Sequence, residues 1–209
     1  IRIGGPQKQL IYFLQESIKK KTSHKYLIIA PKNSKNKFSQ FFDLNQIEIK
    51  ELNIQYLSVY SIIDYIKSFL RDFDKLSYYL KDIDKIYIAG GSSNIKSLLI
   101  SVILKKKIYF HIHDIKSNFF IKVVLLILSK FIKKIFFASK CSKNYYSFLS
   151  TSPKKIILRS SVNTDNFNVR KKKTKDFKVG IIANINPDKN LELLIDIIEN
   201  INDKDIKFE

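Results

Sequence analysis

The chain has 209 residues, 45% of them hydrophobic, so it can bury a domain core and is not disordered throughout. Its net charge is +19, yet only four of its 38 basic residues are arginines. Nucleic-acid surfaces usually rely on arginine, so we attribute the charge to AT-rich codon usage and a membrane-facing surface rather than to dedicated nucleic-acid binding. The single cysteine, Cys141, excludes an internal disulfide and a cysteine-based zinc site and fits a reducing cytoplasm.

Strand-like and helix-like segments alternate through the N-terminal half of the chain. A Gly-Gly-Pro turn opens a helix within 4–21, a position that suits proline. A strand at 25–31, a second strand within 47–60 and a helix over 62–80 follow. The first residues are typical of a strand end, and the chain contains no Met, so we expect a clipped N-terminus; no signal peptide is predicted.

The alternation continues to residue 162. The predicted strands are 85–91, 106–114, 134–139 and 154–162, and the predicted helices are 93–104, 116–134 and 140–149. This order predicts an α/β fold, in which a Rossmann-like parallel sheet carries helices on both faces. The longest apolar run, 119–132, is shorter than the roughly 20 residues of a membrane span, so it predicts a buried or membrane-surface helix.

A lysine-rich segment without apolar periodicity, 168–176, predicts a linker between two domains. Residues 1–167 then form one nearly complete domain. Residues 177–209 begin a second domain, with a strand from 177, a helix over 188–201 and the opening of another strand. The sequence therefore predicts a domain followed by the first βα unit of another.

Three short stretches carry candidate binding or catalytic groups. Gly4 and Gly5 lie where a strand turns into a helix, which lets a phosphate approach the backbone, although such a turn is often only a turn. His111, His113 and Asp114 lie near the end of a strand. Residues i and i+2 of a strand point to one side, so both imidazoles can face one cleft, or both can be satisfied histidines within the sheet.

The third stretch is "NPDKN", residues 186–190, at the turn of the second domain. Asp188 can cap the following helix. Lys189 then lies in the first turn, where a cation opposes the helix dipole unless an anionic ligand is shared with it. An ordinary solvated lysine is the alternative, and local sequence alone favours it.

The order of these stretches resembles the retaining, nucleotide-sugar-dependent GT-B glycosyltransferases of family 4, or group 1. The matching segments are "GGPQKQL", "SHKYLIIAP" with His24 in the histidine position, "YFHIHD", "FFASKCSKNY" with Ser139, "KKIILRSSVNTDNF" and "FKVGIIANINPDKNLELLIDI". The resemblance spans nearly the whole chain, and the last two segments carry most of its specificity.

The resemblance implies transfer of a sugar from a nucleotide diphosphate sugar to an acceptor hydroxyl with retained configuration, without a metal or other cofactor. Residues Gly4, Gly5, Asn184 and Lys189 would bind the donor diphosphate. His113 would be the catalytic residue on the acceptor side. The resemblance also implies that His111 and Asp114 line the acceptor side, and that Asp165 and Phe167 serve the hinge.

Several positions depart from the family pattern. Ser160 replaces an asparagine, Asn184 an arginine that helps hold the donor diphosphate, and Asn190 a glycine. The acidic Glu-x7-Glu motif of the family would lie beyond Glu209. The resemblance therefore predicts a fragment that lacks most of the donor domain and is inactive alone.

The resemblance and the basic charge together predict a cytoplasmic enzyme of cell-surface polysaccharide, lipopolysaccharide or glycolipid synthesis. We expect peripheral attachment to an anionic inner membrane, a saccharide or lipid-linked acceptor, and no nucleic-acid partner. A non-catalytic GT-B-like binding protein is the main alternative because of Asn184. A nucleic-acid-binding α/β protein lacks an RNA-binding aromatic motif, and a dehydrogenase lacks a dinucleotide fingerprint.

Overall fold

The structure is a computed structural model of the chain. It describes residues 5–20, 25–32, 35–42, 47–52, 62–90, 94–113, 115, 117–151, 153–160, 177–179, 190–201 and 206–208. The chain divides into two compact units, residues 1–163 and residues 164–209. The predicted linker, 168–176, lies outside the described residues, so its position stays a prediction.

Strands and helices alternate in the described part of the chain, as the sequence predicts. The strands are β1 (Tyr26–Pro31), β2 (Ile47–Leu52), β3 (Lys85–Ala89), β4 (Lys107–Ile112), β5 (Ile132–Phe137), β6 (Lys154–Ile157), β7 (Phe177–Val179) and β8 (Ile206–Phe208). The helices are α1 (Gly5–Lys19), α2 (Lys35–Ser39), α3 (Ile62–Tyr79), α4 (Ile95–Ile103), α5 (Phe119–Ser129), α6 (Lys140–Tyr145) and α7 (Leu191–Asn200).

The first unit begins with a parallel pair of strands, β1 and β2. Helix α1 buries Ile11 and Leu14 against Ile28 of β1 and Ile49 of β2, and Phe38 of α2 completes this cluster. The apolar positions of α1 recur at helical spacing, which is why one face of the helix covers the strands.

The larger sheet of the first unit has the order β3-β4-β5-β6, and all its strands are parallel. Its main core contains Phe110 of β4, Phe137 of β5, Leu98 of α4, Leu125 of α5 and Tyr146 at the end of α6. Crossovers between parallel strands are right-handed as a rule, so successive crossovers in one direction place their helices over the same sheet face. Helices α4 and α5 pack against each other, as this rule leads one to expect.

Helix α3 also packs against α4, in addition to the sheet and α5. Leu76 of α3 and Ile100 of α4 are both buried in a cluster that also includes Leu52 of β2. A buried ion pair crosses the same junction, with 2.7 Å between Lys96 Nζ and Asp72 Oδ2.

In the second unit, β7 and β8 form a parallel pair, and α7 lies between them in sequence. Residues 177–209 therefore contain the βα unit predicted from the sequence. None of the residues of α7 is buried.

The structure corrects several predicted boundaries. The predicted helix 116–134 is too long, because α5 begins after the N-cap Asn118 and ends at Ser129. Strand β5 begins at Ile132, which the sequence had placed in the helix, because apolar residues recur at helical spacing across this turn. The short helix α2 was not predicted. Strand β6 ends at Ile157, earlier than the predicted 162.

Candidate functional site

The candidate site lies at the carboxyl ends of β3, β4 and β5, the edge at which open parallel sheets bind ligands. Three turns follow these strands. Gly90 follows β3 with a φ of 127°, a conformation that needs glycine. His113 follows β4, and Ser139 follows β5 and caps α6 by accepting a hydrogen bond of 3.0 Å from the Ser142 N–H.

Two histidines at the end of β4 lie on one side of the sheet. Phe110 and Ile112 point into the helix-covered core, so the alternation of the strand directs His111 to the opposite face. The ring centroids of His111 and His113 are 3.9 Å apart, with an angle of 37° between the planes. The structure thus brings the two predicted histidines into contact.

The two histidines differ in exposure. His111 is fully buried, whereas His113 is half-buried at the carboxyl edge. A fully buried ring cannot touch a substrate from this position. His111 therefore supports His113 on its buried side. His113 Nε2 is also buried, so a ligand can reach the pair only at the exposed part of His113.

Tyr87 and Phe136, which the sequence analysis did not select, complete an aromatic cluster around His111. The Tyr87 hydroxyl oxygen lies 2.5 Å from His111 Nδ1, and the two rings meet edge to face. Phe136 meets His111 from the other neighbouring strand, with 6.0 Å between the ring centroids. The contacts of Tyr87 and Phe136 with His111 depend on the register between β3, β4 and β5.

Burial keeps His111 neutral, and Tyr87, although 40% exposed as a whole residue, keeps the proton on its hydroxyl. Loss of solvent lowers the pKa of His111 to about 4, and the nearby His113 acts in the same direction. The backbone of Leu158 opposes this shift. Burial raises the pKa of Tyr87 to about 12, so its hydroxyl keeps its proton. Tyr87 and His111 therefore form a fixed, uncharged support for the ring of His113.

Of the remaining predicted site residues, only Gly5 lies among the described residues. Gly5 begins α1 and is exposed, and a Cβ added to it would meet no atom of the described residues within 4 Å. Gly4, Asp114, Asn184 and Lys189 lie outside the described residues, as do His24, Asp165 and Phe167. Their roles stay predictions.

Asn190 shows why one departure from the family pattern fits the backbone. Helix α7 begins at Leu191 rather than at the predicted residue 188, and Asn190 precedes it as the N-cap with a φ of 45°. Left-handed backbone of this kind is adopted readily by glycine and, among other residues, most often by asparagine. Asparagine at this position therefore fits the left-handed backbone of the turn.

Among the described residues, no group of three or more His, Cys, Asp and Glu side chains is arranged to hold a metal ion. None of the described helices is long and apolar enough to cross a membrane.

The structure is similar to several solved structures. One is the crystal structure of Anabaena Alr3699/HepE in complex with UDP and glucose, with a TM-score of 0.70, 14% identity, and coverage of 99% of this chain and 57% of that chain. The same protein in complex with UDP-glucose has a TM-score of 0.59, 11% identity, and coverage of 88% and 60%. Acinetobacter baumannii MurG has a TM-score of 0.60, 15% identity, and coverage of 95% and 55%.

These neighbours are GT-B glycosyltransferases, and the predicted α/β fold of the GT-B class is confirmed. The chain spans less than two thirds of the length of these proteins. It matches no protein-family model and no curated protein sequence.

Proposed function

We propose that the protein containing this chain is a glycosyltransferase that transfers a sugar from a nucleotide diphosphate sugar to an acceptor hydroxyl. The observation that carries the proposal is the pair His111–His113, held at the carboxyl edge of a parallel sheet in a chain with the GT-B fold. Two neighbouring structures contain UDP with glucose or UDP-glucose, which supports a UDP-sugar as the first donor to test.

His113 is the proposed catalytic residue on the acceptor side. Its ring contacts the ring of His111, which is anchored by the neutral hydroxyl of Tyr87. A ring held in this way needs little reorganisation when an acceptor hydroxyl is brought to the donor, and positioning of this kind lowers a reaction barrier. His111 is a positioning residue, and Asp114 is proposed to line the acceptor side.

The donor diphosphate is proposed to bind Gly4, Gly5, Asn184 and Lys189. Gly5 opens α1, and the open space beside its Cα leaves room for an anionic group near the N–H groups of the first turn. Negative charge develops on the leaving diphosphate, so preorganised cations and N–H donors would supply most of the stabilisation. This scheme uses no metal ion and fits the retaining reaction of family 4.

The proposed acceptor is a saccharide or a lipid-linked saccharide of cell-surface polysaccharide or glycolipid synthesis. It would be presented at the inner face of an anionic membrane, to which the protein attaches peripherally. The basic charge of the chain supports this location.

The test is calorimetric titration of the full-length gene product with UDP-glucose, followed by the other common nucleotide diphosphate sugars. Lys189→Ala should weaken binding of the preferred donor about tenfold or more, because it removes a cation from the diphosphate. Lys75→Ala is the matched control, since it removes an exposed lysine from α3, outside the proposed donor site, and should leave the affinity unchanged.

A non-catalytic GT-B-like protein is favoured instead if none of these donors binds. Asn184→Arg is the informative variant in that case. Regained donor binding in Asn184→Arg would identify a decayed enzyme, whereas no binding in either protein would exclude the proposed donor site.

A further inference from the structure

A polar cluster lies where the turn after β4 enters α5, here called the α5 entrance. It consists of Ser117, the N-cap Asn118, Lys122 of α5 and Tyr145 of α6. The Tyr145 hydroxyl donates a hydrogen bond of 3.4 Å to the Ser117 carbonyl oxygen. The Lys122 Nζ lies 4.6 Å from the ring centroid of Tyr145. The α5 entrance therefore joins two helices just beyond His113, at the carboxyl edge of the sheet.

The α5 entrance contains a cation and no acidic residue. Between Asp114 and Asp165 the chain has no Asp or Glu and ten Lys or Arg residues, so no carboxylate of this stretch competes for the cation. A hydrogen bond with Ser117 and the adjacent Lys122 ammonium both lower the pKa of Tyr145. The local field at this hydroxyl therefore favours negative charge.

The first turn of α5 adds hydrogen-bond donors. The N–H groups at the start of a helix have no acceptor within the helix, and the helix dipole is positive at this end. The Asn118 side chain accepts a hydrogen bond of 2.8 Å from the Ile121 N–H. The N–H groups of Phe119 and Phe120 likewise have no acceptor within α5. Lys122 follows directly, at a position where a cation is unfavourable unless an anion is shared with the helix.

A buried hydroxyl on α6 is a second, independent indication of a ligand. Ser142 is 1% exposed, and its Oγ has no hydrogen-bond partner among the described residues. It lies three residues before Tyr145, so both side chains share the face of α6 that meets the α5 entrance. Buried hydroxyls are nearly always paired. An oxygen-rich ligand between α5 and α6 would supply the partner of this hydroxyl.

We propose that the α5 entrance binds a phosphate group, with Lys122 as the counter-ion and with the Tyr145 hydroxyl and the N–H groups of Phe119 and Phe120 as donors. A point charge and several converging donors suit the tetrahedral oxygens of phosphate. The present bond of Tyr145 to Ser117, at 3.4 Å, is long for two oxygen atoms, so a phosphate oxygen can replace the carbonyl.

The phosphate is assigned to the acceptor, because the α5 entrance follows His113 by only a few residues. An acceptor held there by its phosphate would present a hydroxyl to His113 in a fixed position. This assignment rests on the proposed function. The binding of phosphate to the α5 entrance does not.

The test is nuclear magnetic resonance of the full-length gene product labelled with [15N]phenylalanine and titrated with inorganic phosphate at constant ionic strength. The amide signals of Phe119 and Phe120 are assigned through F119L and F120L. They should shift and saturate, because their N–H groups donate to the phosphate. Lys122→Met should raise the Kd for phosphate about tenfold or more, since it removes the charge and keeps the length of the side chain.

Two further variants control this result. Lys130→Met removes an exposed lysine at the other end of the same helix and should leave the Kd unchanged. Tyr145→Phe keeps the ring beside Lys122 and removes only the hydroxyl, so it should raise the Kd about threefold or more. The dispersion of the other phenylalanine signals shows that each variant is folded.

Two other ligands separate the sources of the phosphate. Glucose 1-phosphate represents a soluble sugar phosphate, and monomeric dihexanoyl phosphatidic acid represents a phosphate on a lipid. Whichever of them binds the α5 entrance more tightly than inorganic phosphate identifies the acceptor class, and each result supports the site. In a sugar-transfer assay, Lys122→Met should raise the KM for the acceptor about tenfold and leave kcat unchanged.

Three results would overturn the phosphate site. They are unshifted signals of Phe119 and Phe120, a Kd of Lys122→Met equal to that of the wild type, and equal weakening in Lys122→Met and Lys130→Met, which would indicate general attraction to a basic surface. An unchanged acceptor KM in Lys122→Met would overturn the assignment to the acceptor. No nucleotide sugar enters the titration, so its failure and a failure of donor binding are distinguishable.

Discussion

Helices α4 and α5 are neighbours on the same face of the same sheet, and both are strongly apolar, yet they are buried differently. Helix α4 buries Leu98 towards the sheet and Ile100 towards α3. Helix α5 is covered by the sheet and by α4 but leaves Phe119 and Phe120 exposed. The burial of an apolar helix thus depends on how many neighbouring elements cover it.

The buried ion pair marks the same difference. Lys96 of α4 is buried because α3 supplies Asp72 and the Ser68 hydroxyl, which lie 2.7 Å and 3.0 Å from its Nζ. On α5, Lys122 reaches an aromatic ring instead, and Lys130 is exposed. A lysine in an apolar helix therefore does not reveal whether its face is covered.

The largest expected effect comes from breaking the junction between α3 and α4. Asp72→Ala leaves the Lys96 ammonium buried without its carboxylate and should lower the free energy of unfolding by about 3–5 kcal/mol. Urea unfolding measures this change. Arg71→Ala removes a half-exposed neighbour of the same carboxylate and should cost under about 0.5 kcal/mol. Equal losses in the two variants would mean that the pair is not buried.

The two sides of α5 can be compared through adjacent residues. Leu128→Ala opens a cavity in the main core and should cost about 2–5 kcal/mol in urea unfolding. Ile127→Ala truncates a side chain that is 56% exposed and should change the free energy of unfolding by less than about 0.5 kcal/mol. A large loss in Ile127→Ala would show that the outer face of α5 is covered within the chain.

His111 of β4 should make the free energy of unfolding depend on pH. The pKa of His111 is about 4 in the folded chain against 6.5 for an ordinary histidine, so the unfolded chain binds more protons between these values. Stability from this group is therefore full above pH 6.5 and is lost as the pH falls to about 4, with a total loss of about 3 kcal/mol.

The measurement is urea unfolding across this pH range for the wild type, His111→Gln and His113→Gln. His111→Gln should be less sensitive to acid than the wild type, with Tyr87 staying neutral throughout. His113→Gln separates the smaller contribution of the neighbouring ring. An unchanged pH profile in His111→Gln would contradict the buried, neutral state of His111.

The sequence predicts local features of the fold and site well. The parallel α/β order and the shared side of His111 and His113 follow from periodicity, which depends only on the chain itself. Tyr87 and Phe136 could not be selected in the same way. Their contacts with His111 depend on the register between separate strands, which no local pattern contains.

The end of α5 shows a second limit of periodicity. Apolar residues continue at helical spacing through Phe131 and Ile132, so the predicted helix ran on into β5. The same pattern could not distinguish a helix whose outer face is covered from one whose outer face is exposed. That distinction depends on whether another helix, as α3 does for α4, arrives to cover the outer face.

Sugar transfer by the full-length gene product tests the central claim most directly. The protein is incubated with a labelled nucleotide diphosphate sugar and anionic vesicles that carry lipid extract, and the label in the lipid phase is measured. We expect transfer by the wild type and a loss of about a hundredfold or more in His113→Ala, with donor affinity unchanged. Transfer that is equal in the two proteins would contradict the role of His113, and no transfer from any donor that binds would contradict the proposed function.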